Sequence, residues 1–139
     1  MDQVEAPLFE RIAIVGSREF PSPAPIEAFV ATLPAGTVIV SGGARGVDTW
    51  AAEAGRAHGL EVVEFLADWE RHGRAAGPIR NAEIVRQCDR VVAFWDGKSH
   101  GTLNTAAQAI DAGKPVEIRD MAGTIIPLAD VRAKFKKGN

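Results

Sequence analysis

The sequence is short of several things that would narrow its function at once. It has one cysteine, Cys88, which excludes an internal disulfide framework and cannot by itself build a thiolate metal site. No apolar run approaches the roughly 20 residues that cross a bilayer, and the opening Met-Asp-Gln-Val-Glu-Ala-Pro lacks the basic and apolar regions of a signal peptide, so a cytoplasmic location is expected. No sign of charge dominates: the formal net charge is −2, which gives no global attraction for nucleic acid and makes that partner unexpected. The three histidines, His58, His72 and His100, are far apart and lack ligand spacing, so no metal is expected, and nothing calls for a cofactor.

What is present is ordinary for a globular chain. With 139 residues, 46% hydrophobic and 24% charged, the chain reads as one domain over residues 1–139, with a core at about 11–118 and a tail at about 129–139.

The stretch 38–48, Val-Ile-Val-Ser-Gly-Gly-Ala-Arg-Gly-Val-Asp, organises the rest. A short apolar run stops at Ser41, Gly42 and Gly43, and helical periodicity restarts after Gly46. This is strand, tight loop, helix. Glycines let a ligand approach peptide N–H groups, and the helix start adds unpaired N–H groups and the positive end of its dipole, so an anion site is predicted there, with phosphate the natural occupant.

Taken in order, residues 11–15 (Arg-Ile-Ala-Ile-Val) form a strand that ends in the loop Gly16, Ser17, Arg18. After Pro21, Pro23 and Pro25, apolar residues at Ile26, Phe29, Val30 and Leu33 predict an amphipathic helix. Residues 37–40 are the second strand, and Val47, Trp50, Ala51 and Ala54 form the inner face of the second helix. Residues 61–65 are the third strand. Residues 68–78 carry glycines, charges and Trp69 without sustained period and read as a surface loop. A helix is expected over about 78–88, a strand over 90–95, and a second glycine-bearing loop over 96–102. The helix after it turns Leu103, Ala106, Ala107 and Ile110 inward. A fifth strand lies at 116–118, and the remainder, including 124–128 and the basic end 134–137, reads as a short extension or last helix with a solvated tail.

Strands alternating with helices imply right-handed crossovers and a parallel sheet covered on both faces. The expected fold is an α/β, Rossmann-like three-layer sandwich of about five strands in the order 3-2-1-4-5. Strands 1 and 4 are then neighbours at the topological switch point, and the three loops converge outside their carboxyl ends. Their residue types suit a nucleotide. Ser17, Ser41, Ser99 and Thr102 supply hydroxyls, the glycines expose N–H groups, and Arg18, Arg45, Lys98 and Arg80 offset phosphate charge. Asp48 either meets a ribose hydroxyl or simply favours a helix N-terminus, and both readings stay open. Trp69 and Trp95 are candidates to stack on a base, whereas Trp50 and Cys88 sit on apolar helix faces and read as core.

Four segments carry a family resemblance: Gly16-Ser17-Arg18, the run from Ser41 to Asp48, Gly77-Pro78-Ile79-Arg80-Asn81, and Ser99-His100-Gly101-Thr102. They resemble the motifs of the SLOG superfamily, and most of all its small single-domain YspA-like proteins of unknown function. The resemblance implies a Rossmann-like fold that binds nucleotides or nucleotide-derived ligands. It also links the chain to Lonely Guy phosphoribohydrolases, to lysine decarboxylase-like proteins and to the DNA-processing protein that loads recombinase on single strands.

Lonely Guy enzymes carry Pro-Gly-Gly-x-Gly-Thr-x-x-Glu, whose glutamate acts with an arginine in N-glycosidic cleavage. Here Gly101-Thr102 matches the Gly-Thr pair, Thr105 stands in the place of the glutamate, and Arg80 matches the arginine but is followed by Asn81 rather than lysine. Threonine can neither activate water nor stabilise an oxocarbenium-like centre as a carboxylate does. The expected function is therefore a sensor or binding domain for a nucleotide or nucleotide-derived small molecule. N-glycosidic hydrolysis of nucleoside monophosphates is the alternative, with Arg80 and Asp96 as catalytic candidates, and single-stranded DNA binding is the third reading. Helical faces of Ala and Ile also allow a homodimer.

Overall fold

The computed structural model describes the backbone of residues 9–137 and the side chains of residues 9–132. Apolar residues alternate along its first strand, and that alternation builds two cores. β1 (Arg11–Gly16) sends Ile12 and Ile14 to one face and Ala13 and Val15 to the other. The first face is closed by α1 (Ala24–Ala31) and α2 (Val47–Ala57), through Ile26, Phe29, Val30, Val47 and Ala51. The second face is closed by α4 (Ala76–Gln87) and α5 (His100–Asp111), through Ile84, Val85, Ala106 and Ala109. Each isoleucine taken fully from water contributes roughly 1.5–3 kcal/mol, so the two clusters together supply the main driving force for folding.

The sheet runs β3-β2-β1-β4-β5-β6, where β2 is Val38–Ser41, β3 Glu61–Glu64, β4 Arg90–Phe94, β5 Val116–Arg119 and β6 Ile125–Ile126. The first five strands are parallel, in the expected order, with Ile12 opposite Ile39 and Ala13 opposite Val91. β6 is an addition: it pairs antiparallel with β5 after a turn in which Asp120 accepts the amides of Ala122 and Thr124 and Gly123 adopts φ +86°. The last helix, α6, spans Leu128–Lys137, so the helical alternative for the C-terminal segment is the one observed.

The segment 68–78 departs from its reading as an irregular loop. Asp68 accepts the Arg71 amide at 3.1 Å and caps a four-residue helix, α3 (Trp69–His72). Gly73, at φ +55°, ends it, a 3-10 turn covers Gly73–Ala75, and α4 begins at Ala76. Pro78 therefore lies inside the first turn of α4, where the N–H that proline lacks has no helical partner. Cys88 falls just past α4 in extended conformation, and it is buried as expected. Trp50 is only partly buried against the first core.

Among the described residues, no helix is long and apolar enough to cross a membrane.

Candidate functional site

A crevice of about 770 Å³ opens at the carboxyl ends of β1, β2 and β4. It forms there because the helices after β1 and β2 cover one face of the sheet and the helix after β4 covers the other.

Its floor is a set of loops drawn together by close backbone approaches. A Cβ on Gly16 would lie 2.4 Å from the Phe94 carbonyl oxygen and 2.7 Å from Val47 Cβ, so only glycine fits where β1, β4 and α2 meet. Ser17 is buried and ties two loops: its amide donates to the Phe94 carbonyl at 3.1 Å, and its hydroxyl accepts the Asp96 amide at 3.1 Å. Gly46, at φ +78°, lets α2 start directly under the Ser17 and Arg18 carbonyls. The Ser41 hydroxyl donates to the Asp48 carbonyl and accepts the Gly43 amide, at 3.3 and 3.2 Å.

These contacts change the roles assigned to several residues. Ser17, Ser41, Gly42, Gly43 and Gly46 do not line the crevice; they build it. The amides of Gly43 and Ala44 are already taken, by the Ser41 hydroxyl and by Asp48 Oδ2. Trp95 needs correction most. Its ring is 2% exposed in the second core, and its indole N–H donates to the Ser99 carbonyl at 3.1 Å, so it presents no face to a base.

Gly16, Arg18, Arg45, Asp48, Arg80, Asn81, Asp96, Ser99, Gly101 and Thr102 do line the crevice. Arg80 is the most firmly placed cation among them. Its Nε donates to Asn81 Oδ1 at 2.9 Å, and its Nη1 donates to the Gly42 carbonyl in the loop after β2. Asn81 is fixed in turn by Asn104 at 3.1 Å, and Asn104 by Gln108 at 2.9 Å, so α4 and α5 share one amide network. Arg45 stands at the exposed rim in an ion pair with Glu19.

Two carboxylates behave oppositely. Burial pushes Asp48 up to about 6, against the pull of the Ala44 amide, Arg80, the Gly16 amide and Arg18. Burial also acts on Asp96, but the amides of Lys98 and Ser99 and the Ser17 hydroxyl together hold it below the ordinary carboxylate range. Asp96 therefore stays ionised at neutral pH, with Oδ1 shaping the loop through the Lys98 and Ser99 amides at 2.8 and 2.9 Å. Ser99 caps α5 by accepting the Thr102 amide at 3.2 Å, and the two hydroxyls bond each other at 2.9 Å.

The crevice also holds Trp69, one of the two tryptophans expected as candidates to stack on a base, and two residues not expected there from sequence, Arg74 and Met121. Trp69 is 51% exposed and lines the crevice, with its Cη2 3.5 Å from where a Gly77 Cβ would lie. Arg74 stands beside it, and Met121 comes from the β5–β6 turn. Arg74 was obscured by the absence of period in the segment that carries it, and nothing in the local sequence marks Met121.

A doubly covered parallel sheet with a crevice at its switch point that carries charged side chains defines a Rossmann-like α/β domain. Comparison with known proteins places it further: residues 10–72 match the model of the YspA, cpYpsA-related SLOG family. The chain is 46% identical over 89 residues to the Gene 61 protein of Mycobacterium phage D29, covering 60% of this chain and 71% of that one. The chain belongs to the SLOG superfamily, as a member of that family. Its fold is also similar to DNA processing protein A from Streptococcus pneumoniae, with a TM-score of 0.70 at 23% identity over 79% of this chain. The present chain spans 50% of the length of that protein.

Proposed function

We propose that this domain binds a nucleotide or nucleotide-derived small molecule in the crevice and acts as a sensor or binding module, as a single unit in the cytoplasm and open to pairing as a homodimer. One observation carries the reading. The Arg80 guanidinium, held by Asn81 and Gly42, faces a crevice that also presents Arg18, Lys98 and the open ring of Trp69. A planar, preset cation suits phosphate, and an exposed indole suits a base. The volume of about 770 Å³ falls in the range of small-molecule sites.

Hydrolysis is the weaker reading. Thr105, in the place of the Lonely Guy glutamate, spends its hydroxyl on the Gly101 carbonyl at 3.3 Å and offers no carboxylate. The structural neighbour named as a DNA processing protein brings oligonucleotides into the test, although a net charge of −2 argues against them.

The deciding measurement is ligand-observed proton NMR with nucleoside monophosphates, nucleotide sugars and a short DNA oligonucleotide. Broadened nucleotide lines without product are expected. Growth of free base that disappears in Arg80→Ala would make the protein a hydrolase, and tight, strongly salt-dependent oligonucleotide binding would make it a nucleic-acid binder.

A further inference from the structure

The Asp48 carboxylate sits in the seat that the loop after β2 would offer an anion. Its Oδ2 takes the Ala44 amide at 3.3 Å, and the side chain lines the crevice although the residue is only 5% exposed. A Cβ on Gly42 would meet Asp48 Oδ2 at 2.7 Å and Arg80 Nη1 at 2.9 Å, so carboxylate and guanidinium flank one peptide. The charged groups acting on Asp48 are Arg80 of α4 and Arg18 of the loop after β1. The elements packed against α2 turn Ile12, Ile14, Ile26, Ile39 and Val62 toward that core. Glu19, Arg45, Arg74, Asp96, Lys98 and His100 line other parts of the crevice.

Arg80 is held by Asn81 and the Gly42 carbonyl, and its charge acts on Asp48. A phosphate that engages Arg80 therefore brings its charge beside a buried carboxylate and competes for the same cation. Two like charges in a desolvated site do not both stay ionised. We infer that anion binding in this crevice is coupled to uptake of a proton by Asp48, so that the site holds its ligand more tightly as acidity rises. The inference rests on the phosphate-binding reading of the same crevice and adds its regulation.

Burial already places the free carboxyl at about 6, close to neutrality. A bound anion moves it higher, so the complex carries more protons than the free protein. Affinity is then highest below the free value, falls as pH rises toward the value in the complex, and levels off above it. Each unit of upward movement is about tenfold in affinity between the two plateaus.

The test titrates inorganic sulfate, whose charge is constant over this range, into the protein between about pH 5 and about pH 8, with binding followed by amide NMR. Wild type is expected to lose affinity by roughly tenfold across the range. Asp48→Asn should lose that slope and bind at high pH at least as tightly as wild type does at low pH. His100→Gln should keep the slope, whatever it does to the plateau. The coupling is overturned if Asp48→Asn retains the slope or if His100→Gln abolishes it. Should the Asp48 variant fail to fold, the Asp48 carboxyl is titrated by carbon NMR in wild type, where an unchanged pKa at saturating sulfate overturns the coupling. AMP run as a competitor separates the two claims. AMP competing with a flat pH profile sinks the coupling alone; proton-linked sulfate that AMP does not displace sinks the nucleotide reading alone; no binding of either ligand at any pH sinks both.

Discussion

Arg80 on α4 donates to the carbonyl of Gly42, 38 residues earlier in the chain, and so joins the helix on one face of the sheet to the loop that opens the helix on the other. The contact fixes the guanidinium without consuming it, because Nη2 and part of Nη1 stay available. Arg80→Lys keeps the charge but loses the fork, and Arg80→Ala loses both. AMP affinity is expected to fall about tenfold or more in each, as removal of a charge-assisted hydrogen bond of roughly 1.5–3 kcal/mol requires. Titration calorimetry reads the loss, and unchanged affinity in Arg80→Ala would remove Arg80 from the site.

Asp48 makes stability depend on pH in a defined direction. Its folded-state value is about 6 against an ordinary 3.8, so the folded protein favours the protonated form. The sign follows: the carboxyl costs nothing below the unfolded value, its cost grows as pH rises from about 4 to about 6, and it is constant above. The full cost is at most about 3 kcal/mol at neutral pH. Asp48→Asn is thus expected to gain melting temperature relative to wild type as pH increases through that window, read by thermal denaturation at stepped pH. A constant offset at every pH would contradict it.

Two glycines in the predicted site should respond in opposite ways to alanine. Gly16→Ala drives a Cβ into the Phe94 carbonyl at 2.4 Å and is expected to cost several kcal/mol, on the order of 3 or more, or to prevent folding. Gly101 has open space where its Cβ would go and lies in the first turn of α5, so Gly101→Ala should be neutral or stabilising by about 0.5–1 kcal/mol. Urea unfolding of both variants checks the contrast.

Lys114 acts as a cap from a distance. Its Nζ donates to the carbonyls of Val85, Arg86 and Cys88, with the last at 2.8 Å, where α4 ends. Lys114→Met keeps the aliphatic stem and strands those acceptors. A loss of about 1–2 kcal/mol in urea unfolding is expected, from the hydrogen bonds and from the charge at a helix C-terminus.

Trp69 is the exposed indole of the crevice, while Trp95 is buried and Trp50 half-buried. Nucleotide binding should quench tryptophan fluorescence in wild type and leave it nearly unchanged in Trp69→Phe. Trp69→Ala should weaken AMP by about 1–3 kcal/mol, the range for stacking one base on an aromatic ring. Persistent quenching in Trp69→Phe would place the base elsewhere.

The order of the parallel strands was legible because each strand is a short apolar run bounded by glycine or proline, and crossover handedness leaves few ways to join such runs. Ile12 to Val15 alternate between two covered faces, which is why the run is apolar throughout. The converging loops followed from that order. Less legible were features that tertiary contacts decide. α3 is four residues long and rests on one Asp68 cap, too short to show a period. β6 is two residues long and exists through its pairing with β5. Trp95 directly follows β4, as sequence position implies, but its ring turns into the core and its N–H finds the Ser99 carbonyl. Likewise, a glycine that admits a ligand and a glycine that admits another backbone look the same in sequence; Gly16 is of the second kind.

The Ser17 tie sets what the crevice can do when something enters it. With its amide on Phe94 and its hydroxyl on the Asp96 amide, Ser17 rivets the first and third loops into a rigid floor over buried sheet. The wall made by residues 69–75 has no such anchorage, since neither α3 nor the 3-10 turn buries a single side chain. Segments with few buried contacts open at low free-energy cost. On the proposed reading, adaptation to ligands of different size would fall to Trp69 and Arg74 on that wall, while the floor riveted by Ser17 keeps one geometry.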